Sequence, residues 1–331
     1  MDTLYIIGNG FDLYHGLDTK YQSFGMFLQD KHTELYDCLI EFYGLPYLDQ
    51  DDEDSYYDPL WADFENALAD LDFEYILDEN SDYLPNIASD DFRDRDLHSF
   101  QQVMEGIVDN LTAKMYEAFK EFILNVKFPN DVKGLQLKID SDALFLNFNY
   151  TDTLERFYNV NDSRILYIHN KATSDETLIL GHGTDPSEFK SKEEIQPDGL
   201  SDEEIYEWQQ QMADNYDYSY DSGKEELLTY FSKSYKSTEE IIQNNQTFFS
   251  NLKSIKNIIV LGHSISNVDQ PYFKNIIESI EDKTVNWDAS YHGEKQPIYE
   301  NMIAIGLNDE QINLFKMDEI KVKNDINYTL F

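Results

Sequence analysis

The chain has 331 residues, and its 25 Lys and Arg against 65 Asp and Glu give a formal net charge of −40. This excess of carboxylates argues against non-specific nucleic-acid binding, which needs cations to neutralise phosphates, and against binding to an anionic membrane surface. With 41% hydrophobic and 15% aromatic residues, the chain nevertheless carries enough apolar side chains to predict a folded core.

Cysteine content and the absence of membrane-type runs indicate the compartment. Cys38 is the single cysteine, which excludes an intramolecular disulfide and any multi-cysteine metal site. No apolar run approaches the roughly 20 residues that span a bilayer, and the first residues lack the basic start of a signal peptide. We therefore expect a soluble, cytoplasmic protein that does not contact the membrane.

Five short apolar runs end abruptly at Gly, Asn or His, which is typical of strands buried on both faces of a parallel sheet. In chain order these predicted strands are Leu4–Ile7, Ala143–Leu146, Ile165–Ile168, Leu178–Leu180 and Ile258–Leu261. Apolar residues at helical spacing separate them. The predicted helices are Thr19–Leu28, Trp61–Phe73, Leu97–Val126, Lys224–Leu252 and Asp269–Ile280. This alternation predicts an α/β fold with a Rossmann-like, mostly parallel sheet.

The negative charge is concentrated in two segments outside the predicted sheet. Residues 49–96 and 185–226 together carry −27 of the net −40. We interpret residues 1–331 as a single α/β domain with acidic helical insertions at about 49–130 and 185–252. Each acidic segment is either a solvated face or an interaction surface.

Polar motifs follow the predicted strands, where open α/β sheets bind ligands. Gly8-Asn9-Gly10-Phe11-Asp12 follows the first strand and suits either a phosphate-binding turn or an ordinary turn capped by Asp12. Asn149 follows the second strand, with Thr151 or Asp152 as a cap for the next helix. His169, His182 and His263 stand at later strand ends. A metal site built from these histidines would need added carboxylates and has no cysteine to help it, so it is not expected.

In this order, the motifs resemble the bacteriophage abortive infection AbiH family, which is in turn similar to the SIR2-like (sirtuin-type) fold. The resemblance rests on Ile6-Ile7-Gly8-Asn9-Gly10-Phe11-Asp12, Trp61-Ala62-Asp63-Phe64-Glu65, Asn147-Phe148-Asn149-Tyr150-Thr151-Asp152, Tyr167-Ile168-His169, Gly181-His182-Gly183 and Gly262-His263-Ser264 with Asp269. SIR2-like domains bind NAD and cleave its nicotinamide glycosidic bond. The resemblance therefore implies an anti-phage protein that takes NAD or a related nucleotide as substrate or ligand.

The resemblance also implies roles for individual residues. Asn149 positions the water and His169 is the catalytic histidine. The cofactor would contact Gly8, Asn9, Gly10, Phe11, Asp12, Tyr150, Thr151, Asp152, His182, Gly262, His263, Ser264 and Asp269. The chemistry suits these residue types, because cationic nicotinamide leaves without a general acid and the transition state is oxocarbenium-like. The motif differs from the family pattern by the extra Thr151 and by Asn170 after His169.

Three functions stay open from the sequence. The first is an NAD glycohydrolase serving phage defence. The second is a nucleotide-binding sensor or partner subunit without turnover. The third is an acidic interaction protein that mimics nucleic acid and docks a basic partner. A protein partner or phage trigger and a homo-oligomer are compatible with all three.

Overall fold

A computed structural model describes residues 2–49, 51–52, 58–190, 196–197 and 199–322 of the chain. Its centre is a six-stranded sheet in which every neighbouring pair of strands is parallel. The strands are β1 (Thr3–Ile7), β2 (Leu144–Asn147), β3 (Ile165–Tyr167), β4 (Asn257–Leu261), β5 (Asn286–Ser290) and β6 (Ile312–Phe315). Their order, β3-β2-β1-β4-β5-β6, is that of a Rossmann-like sheet, so the predicted fold class is confirmed.

The helices lie on both faces of this sheet and in a lobe beside it. They are α1 (Asn9–Tyr14), α2 (Tyr21–Lys31), α3 (Thr33–Tyr43), α4 (Pro59–Ala62), α5 (Phe64–Ala67), α6 (Phe73–Glu79), α7 (Ser99–Asp109), α8 (Met115–Asn125), α9 (Thr153–Tyr158), α10 (Asp202–Asn215), α11 (Tyr218–Lys233), α12 (Thr238–Asn244), α13 (Gln246–Ser250), α14 (Gln270–Ser279) and α15 (Gln296–Ala304). In the described part of the chain, no helix is both long and apolar enough to cross a membrane.

Alternating residues of the central strand serve two hydrophobic cores. Leu4 and Ile6 point to the face covered by α13, α14 and α15, whereas Tyr5 and Ile7 point to the face covered by α1 and α9. This division follows from the two-residue period of a strand. It explains the continuous apolar run in the sequence, because both faces of β1 are buried.

A third core holds the helical lobe, which we define as helices α2–α8 and α11. Aromatic side chains dominate it, including the fully buried Trp61, Phe64 and Phe100. Helix α11 packs directly against α7, because a Cβ on Gly223 would lie 2.3 Å from the Phe100 ring. Helices from both predicted insertions therefore share one core.

Two predicted helices are interrupted in the structure. The Trp61–Phe73 prediction is wrong as one helix, because Asp63 leaves helical geometry (φ −107°, ψ 33°) between α4 and α5. Lys224–Leu252 is also wrong as one helix, since the chain between α11 and α12 pairs with His182 instead. The predicted helix Leu97–Val126 is confirmed as α7 and α8, joined by a π-helical turn at Asn110–Lys114.

The strand predictions are confirmed for β1–β4 and wrong for Leu178–Leu180. Leu178 and Leu180 are buried in the core of the helical lobe instead of the sheet. Strands β5 and β6 were not predicted from the sequence, because their apolar residues alternate with polar ones. In β5, Trp287 and Ala289 are buried while Asn286 is exposed.

Candidate active site at the strand ends

The turn after β1 packs against the turn after β4. The N–H of Gly8 donates to the Leu261 carbonyl (3.0 Å) and the N–H of Gly10 donates to the Gly262 carbonyl (2.8 Å). A Cβ on Gly8 would lie 2.6 Å from Cα of His263, so the two backbones touch. The glycines thus serve a close backbone contact, and these two amides already have acceptors.

The remaining residues of the first turn also have structural partners. The amide of the Asn9 side chain donates to the Thr19 carbonyl (3.1 Å), and its oxygen accepts from the Thr19 hydroxyl (2.5 Å). Phe11 is fully buried and its ring lies 4.4 Å from that of His15. The turn is therefore fixed by side chains as well as by its backbone.

Asp12 is a buried carboxylate and does not cap a helix. It sits inside α1 and is 1% exposed. The hydroxyls of Thr151 and Thr153 donate to its two oxygens (2.5 and 2.7 Å). Burial raises the pKa of Asp12 to about 6, although both hydroxyls oppose this shift. The extra Thr151 of the sequence motif thus has a defined role as a donor to Asp12.

Asn149 lies at the end of β2, next to this carboxylate. Its backbone N–H donates to the Asn147 side chain (3.0 Å). Its own amide nitrogen is buried without a partner in good hydrogen-bond geometry, although it lies close enough to Asp12 to oppose the rise in the pKa of that carboxyl. A buried amide donor without an acceptor is costly, and such groups in a native structure point to a ligand or to bound water.

The neighbours of Asn149 in the motif have other roles. The Tyr150 hydroxyl donates to the Ile179 carbonyl (2.8 Å), and its ring packs against Phe119 of the helical lobe. Asp152 occupies the cap position of α9 without a side-chain cap bond, and instead pairs with Arg156 at 2.6 Å. Neither predicted cap, Thr151 or Asp152, therefore caps this helix through its side chain.

His169 follows β3 and is 3% exposed. Its ring lies 5.4 Å from the ring of Phe148, and its Nε2 has no hydrogen-bond partner. The nearest carboxylate oxygen is Oδ1 of Asp269 at 3.9 Å, which is beyond hydrogen-bond range. Burial, followed by the charge of Lys236, lowers the pKa of His169 to about 3, so the ring is neutral at physiological pH.

His263 is held by a turn in unusual backbone geometry. Gly262 and Ile265 both have positive φ, 68° and 56°. A β-branched residue in this region is a strained exception, and such exceptions cluster at functional sites. The turn brings the Ile265 N–H to Nδ1 of His263 (2.8 Å). In the neutral ring this places the proton on Nε2, which faces Oδ2 of Asp269 at 3.4 Å.

Asp269 joins these groups to a buried cation. Its Oδ1 lies 2.9 Å from Nζ of Lys236, whose side chain has no exposed surface. The same Nζ lies 2.7 Å from Oε2 of Glu65. Although burial opposes it, the Lys236 charge holds the pKa of Asp269 well below its usual range. Both carboxylates are satisfied by one ammonium group.

Sequence reasoning missed Lys236. Glu65 closes the Trp61-Ala62-Asp63-Phe64-Glu65 motif but had no assigned role. In the sequence, Lys236 is one of three lysines in the predicted helix Lys224–Leu252, and nothing in the pattern distinguishes it from Lys224 and Lys233.

His182 and Ser264 lie apart from this group. The His182 ring packs among Phe189, Phe231 and Tyr235, with none of the ring contacts that surround His169. Ser264 is exposed, and its carbonyl accepts from Asn301 (2.9 Å). The structure thus brings together His169, His263 and Asp269, and it places Asn149 beside Asp12 at the end of the neighbouring strand β2.

Two surface cavities lie elsewhere. One of about 1120 Å³ is bordered by α2 and the end of α8, including Phe27 and Phe122. Another of about 720 Å³ includes Ile168 and Asn170, the residues on either side of His169. Within the described ranges, no three His, Cys, Asp or Glu side chains are arranged to hold a metal ion.

Comparison with known proteins identifies a family. The search of curated proteins gives no significant match. The family model described as bacteriophage abortive infection AbiH matches residues 4–291, which include β1 from its second residue, all of β2–β5 and every residue of the candidate site. The chain therefore belongs to the bacteriophage abortive infection AbiH family, and this membership supports a role in the abortive infection response to phage.

Proposed function

We propose that this AbiH protein acts in abortive infection by binding NAD or a related nucleotide at the carboxyl ends of β2, β3 and β4 and hydrolysing its nicotinamide glycosidic bond. The observation that carries the proposal is the pair of buried, unpartnered nitrogens, Nδ2 of Asn149 and Nε2 of His169, at the ends of neighbouring strands. Ligands of open α/β sheets bind at this edge.

The site chemistry suits cleavage of an N-glycosidic bond. Hydrolysis passes through an oxocarbenium-like transition state, which carboxylates stabilise. Asp12 and Asp269 supply carboxylates beside the two nitrogens. Asn149 would orient the attacking water through its donor, and neutral His169 would accept a hydrogen bond from a ribose hydroxyl or from that water, whose proton is released to solvent. Nicotinamide then leaves with the electrons of the broken C–N bond, which neutralise its ring cation.

A direct test is the release of nicotinamide from NAD by the purified protein. We expect Asn149→Ala to reduce release by about 100-fold or more while the variant keeps its melting temperature within a few degrees. Asn80→Ala, which removes an amide that bonds only within the helical lobe, is the control and should retain activity. Equal activity of Asn149→Ala and wild type would remove Asn149 from the mechanism.

A second candidate is a nucleotide-binding sensor without turnover. The observation that favours it is that the site is closed to solvent, since His169 is 3% exposed and the backbone amides of Gly8 and Gly10 already have acceptors. A ligand would have to open the strand ends before reaching the two nitrogens. NAD that raises the melting temperature without releasing nicotinamide would select this function, and nicotinamide release would exclude it.

A further inference from the structure

One oxygen of Asp269 lies between two competing partners. Its Oδ1 is 2.9 Å from Nζ of Lys236 and 3.9 Å from Nε2 of His169. The first distance is that of a charge-assisted hydrogen bond and the second is too long for any hydrogen bond. The other oxygen, Oδ2, faces Nε2 of His263 at 3.4 Å. The lysine thus holds the oxygen that an imidazole would otherwise take.

We propose that Lys236 is a positioning residue which, by holding Oδ1 of Asp269, keeps the His169 ring neutral and leaves its Nε2 unpartnered, free to accept a hydrogen bond. The role of His169 in catalysis rests on the proposed function, but the effect of Lys236 on the protonation of the ring does not. A carboxylate beside a histidine normally binds the imidazolium form and favours protonation. Here the ammonium of Lys236 neutralises that carboxylate and adds a positive charge near the ring.

Among the residues that the structure describes, three charged or titratable side chains act on the His169 ring. Asp269 favours the protonated ring, whereas Lys236 and His263 oppose it. The remaining neighbours are the rings of Phe148, Tyr150 and Tyr272. The tyrosines are neutral at physiological pH, because burial raises the pKa of both hydroxyls. Burial is the largest cause of the low pKa of this histidine, and Lys236 is the cation that adds most to it.

Lys236 is itself fixed from the helical lobe. Oε2 of Glu65 accepts from its ammonium, and Oε1 of Glu65 accepts from the Tyr21 hydroxyl (2.6 Å). The backbone of Lys236 is held as well, since its N–H donates to the His182 carbonyl (2.8 Å). Burial would lower the pKa of Lys236, but Asp269 and Glu65 raise it above the usual value, so the side chain stays charged.

The test is an NMR titration of the histidine rings in protein without nucleotide. The chain has seven histidines, and a His169→Gln variant assigns the resonance of interest. In wild type, we expect His169 to remain neutral down to the lowest pH at which the protein is folded. In Lys236→Met, Asp269 is free to pair with the ring, so the pKa of His169 should rise by about 2 pH units or more. Lys236→Arg keeps a cation and should leave the ring neutral.

Removing the ammonium leaves two half-buried carboxylates without their cation, which endangers folding. The double variant Lys236→Met/Glu65→Gln removes one of them and should show the same rise for His169. A wild-type His169 that titrates near 6.5, or a folded lysine variant with an unchanged His169 pKa, would overturn the inference. Nicotinamide release is measured separately, so a wild type without activity would refute the proposed reaction and leave the titration result intact.

Discussion

Replacing Asp12 by Asn tests the electrostatics of the site without any ligand. Asn has nearly the shape of Asp and retains an oxygen that can accept from Thr151 or Thr153, which donate to the carboxylate in the wild type. It does not titrate. The difference in unfolding free energy between wild type and Asp12→Asn therefore isolates the ionisation of Asp12 from that of the other carboxylates in this acidic chain.

The sign and size of the effect follow from the pKa. Asp12 has a pKa of about 6 in the folded chain against 3.8 for an ordinary Asp. Because burial raises the folded pKa, its protonation stabilises the folded state at low pH, and this contribution is lost as pH rises through 6. The full effect is about 3 kcal/mol, of which about 1.4 kcal/mol develops between pH 7.5 and pH 5.0.

The assay is urea unfolding of both proteins at pH 7.5, 6.0 and 5.0, which stays above the sequence pI of 4.2. We expect the stability of wild type relative to Asp12→Asn to increase by about 1.4 kcal/mol between pH 7.5 and pH 5.0. Asp30→Asn, at an exposed carboxylate, is the control and should show much less change. Parallel pH profiles for wild type and Asp12→Asn would refute the raised pKa and the burial argument behind it.

Three further predictions concern packing, a buried hydrogen bond and the cysteine. Gly262→Ala should lower the free energy of unfolding in urea by several kcal/mol, because its Cβ would lie 2.1 Å from the Phe11 nitrogen. Gly293→Ala, which has positive φ but open space around it, should lower it by about 1 kcal/mol. Equal losses for the two variants would contradict the contact between the turns. Tyr230→Phe should cost about 1–2 kcal/mol by leaving a buried carbonyl without its donor, and an unchanged unfolding midpoint would contradict this. Cys38 should react with a disulfide reagent about 100-fold more slowly in the folded than in the unfolded chain, because burial raises its thiol pKa from 9.0 to about 11; equal rates in a stopped-flow assay would show that the thiol is not shielded.

Continuous apolar runs made the centre of the fold predictable. Strands β1, β2 and β4 lie inside the sheet and are mostly buried, so each appears in the sequence as a hydrophobic run that ends at a turn residue. The edge strand β3 has the same sequence pattern but is only half-buried. Leu178–Leu180 has the same pattern but contributes its side chains to the helical lobe, since an apolar run reports burial and not the hydrogen-bond partner of its backbone. Strand β5 was missed because its polar residues dilute the run.

The candidate site was predictable only where residues share a strand end. Asn149 and His169 follow adjacent parallel strands, so topology alone places them near each other. Lys236 reaches the same point from a segment between two helices, and its partner Glu65 comes from a different helix of the lobe. No spacing rule connects positions 65, 236 and 269, because tertiary packing brings them together.

The geometry of the glycine turn shifts the expected ligand position within the sheet. In Rossmann-like sheets the nucleotide lies where the strand order reverses, which here is between β1 and β4. The turns after these strands are joined by a hydrogen bond from the Gly10 N–H to the Gly262 carbonyl, and their backbones are in contact there. The unpartnered nitrogens of Asn149 and His169 lie instead at the ends of β2 and β3. A nucleotide that reaches them therefore either separates the two turns or binds to one side of them. Gly262→Ala, which would force the turns apart, distinguishes these two routes. If the nucleotide separates the turns, the substitution changes nucleotide affinity as well as stability. If the nucleotide binds to one side of the turns, it changes stability alone.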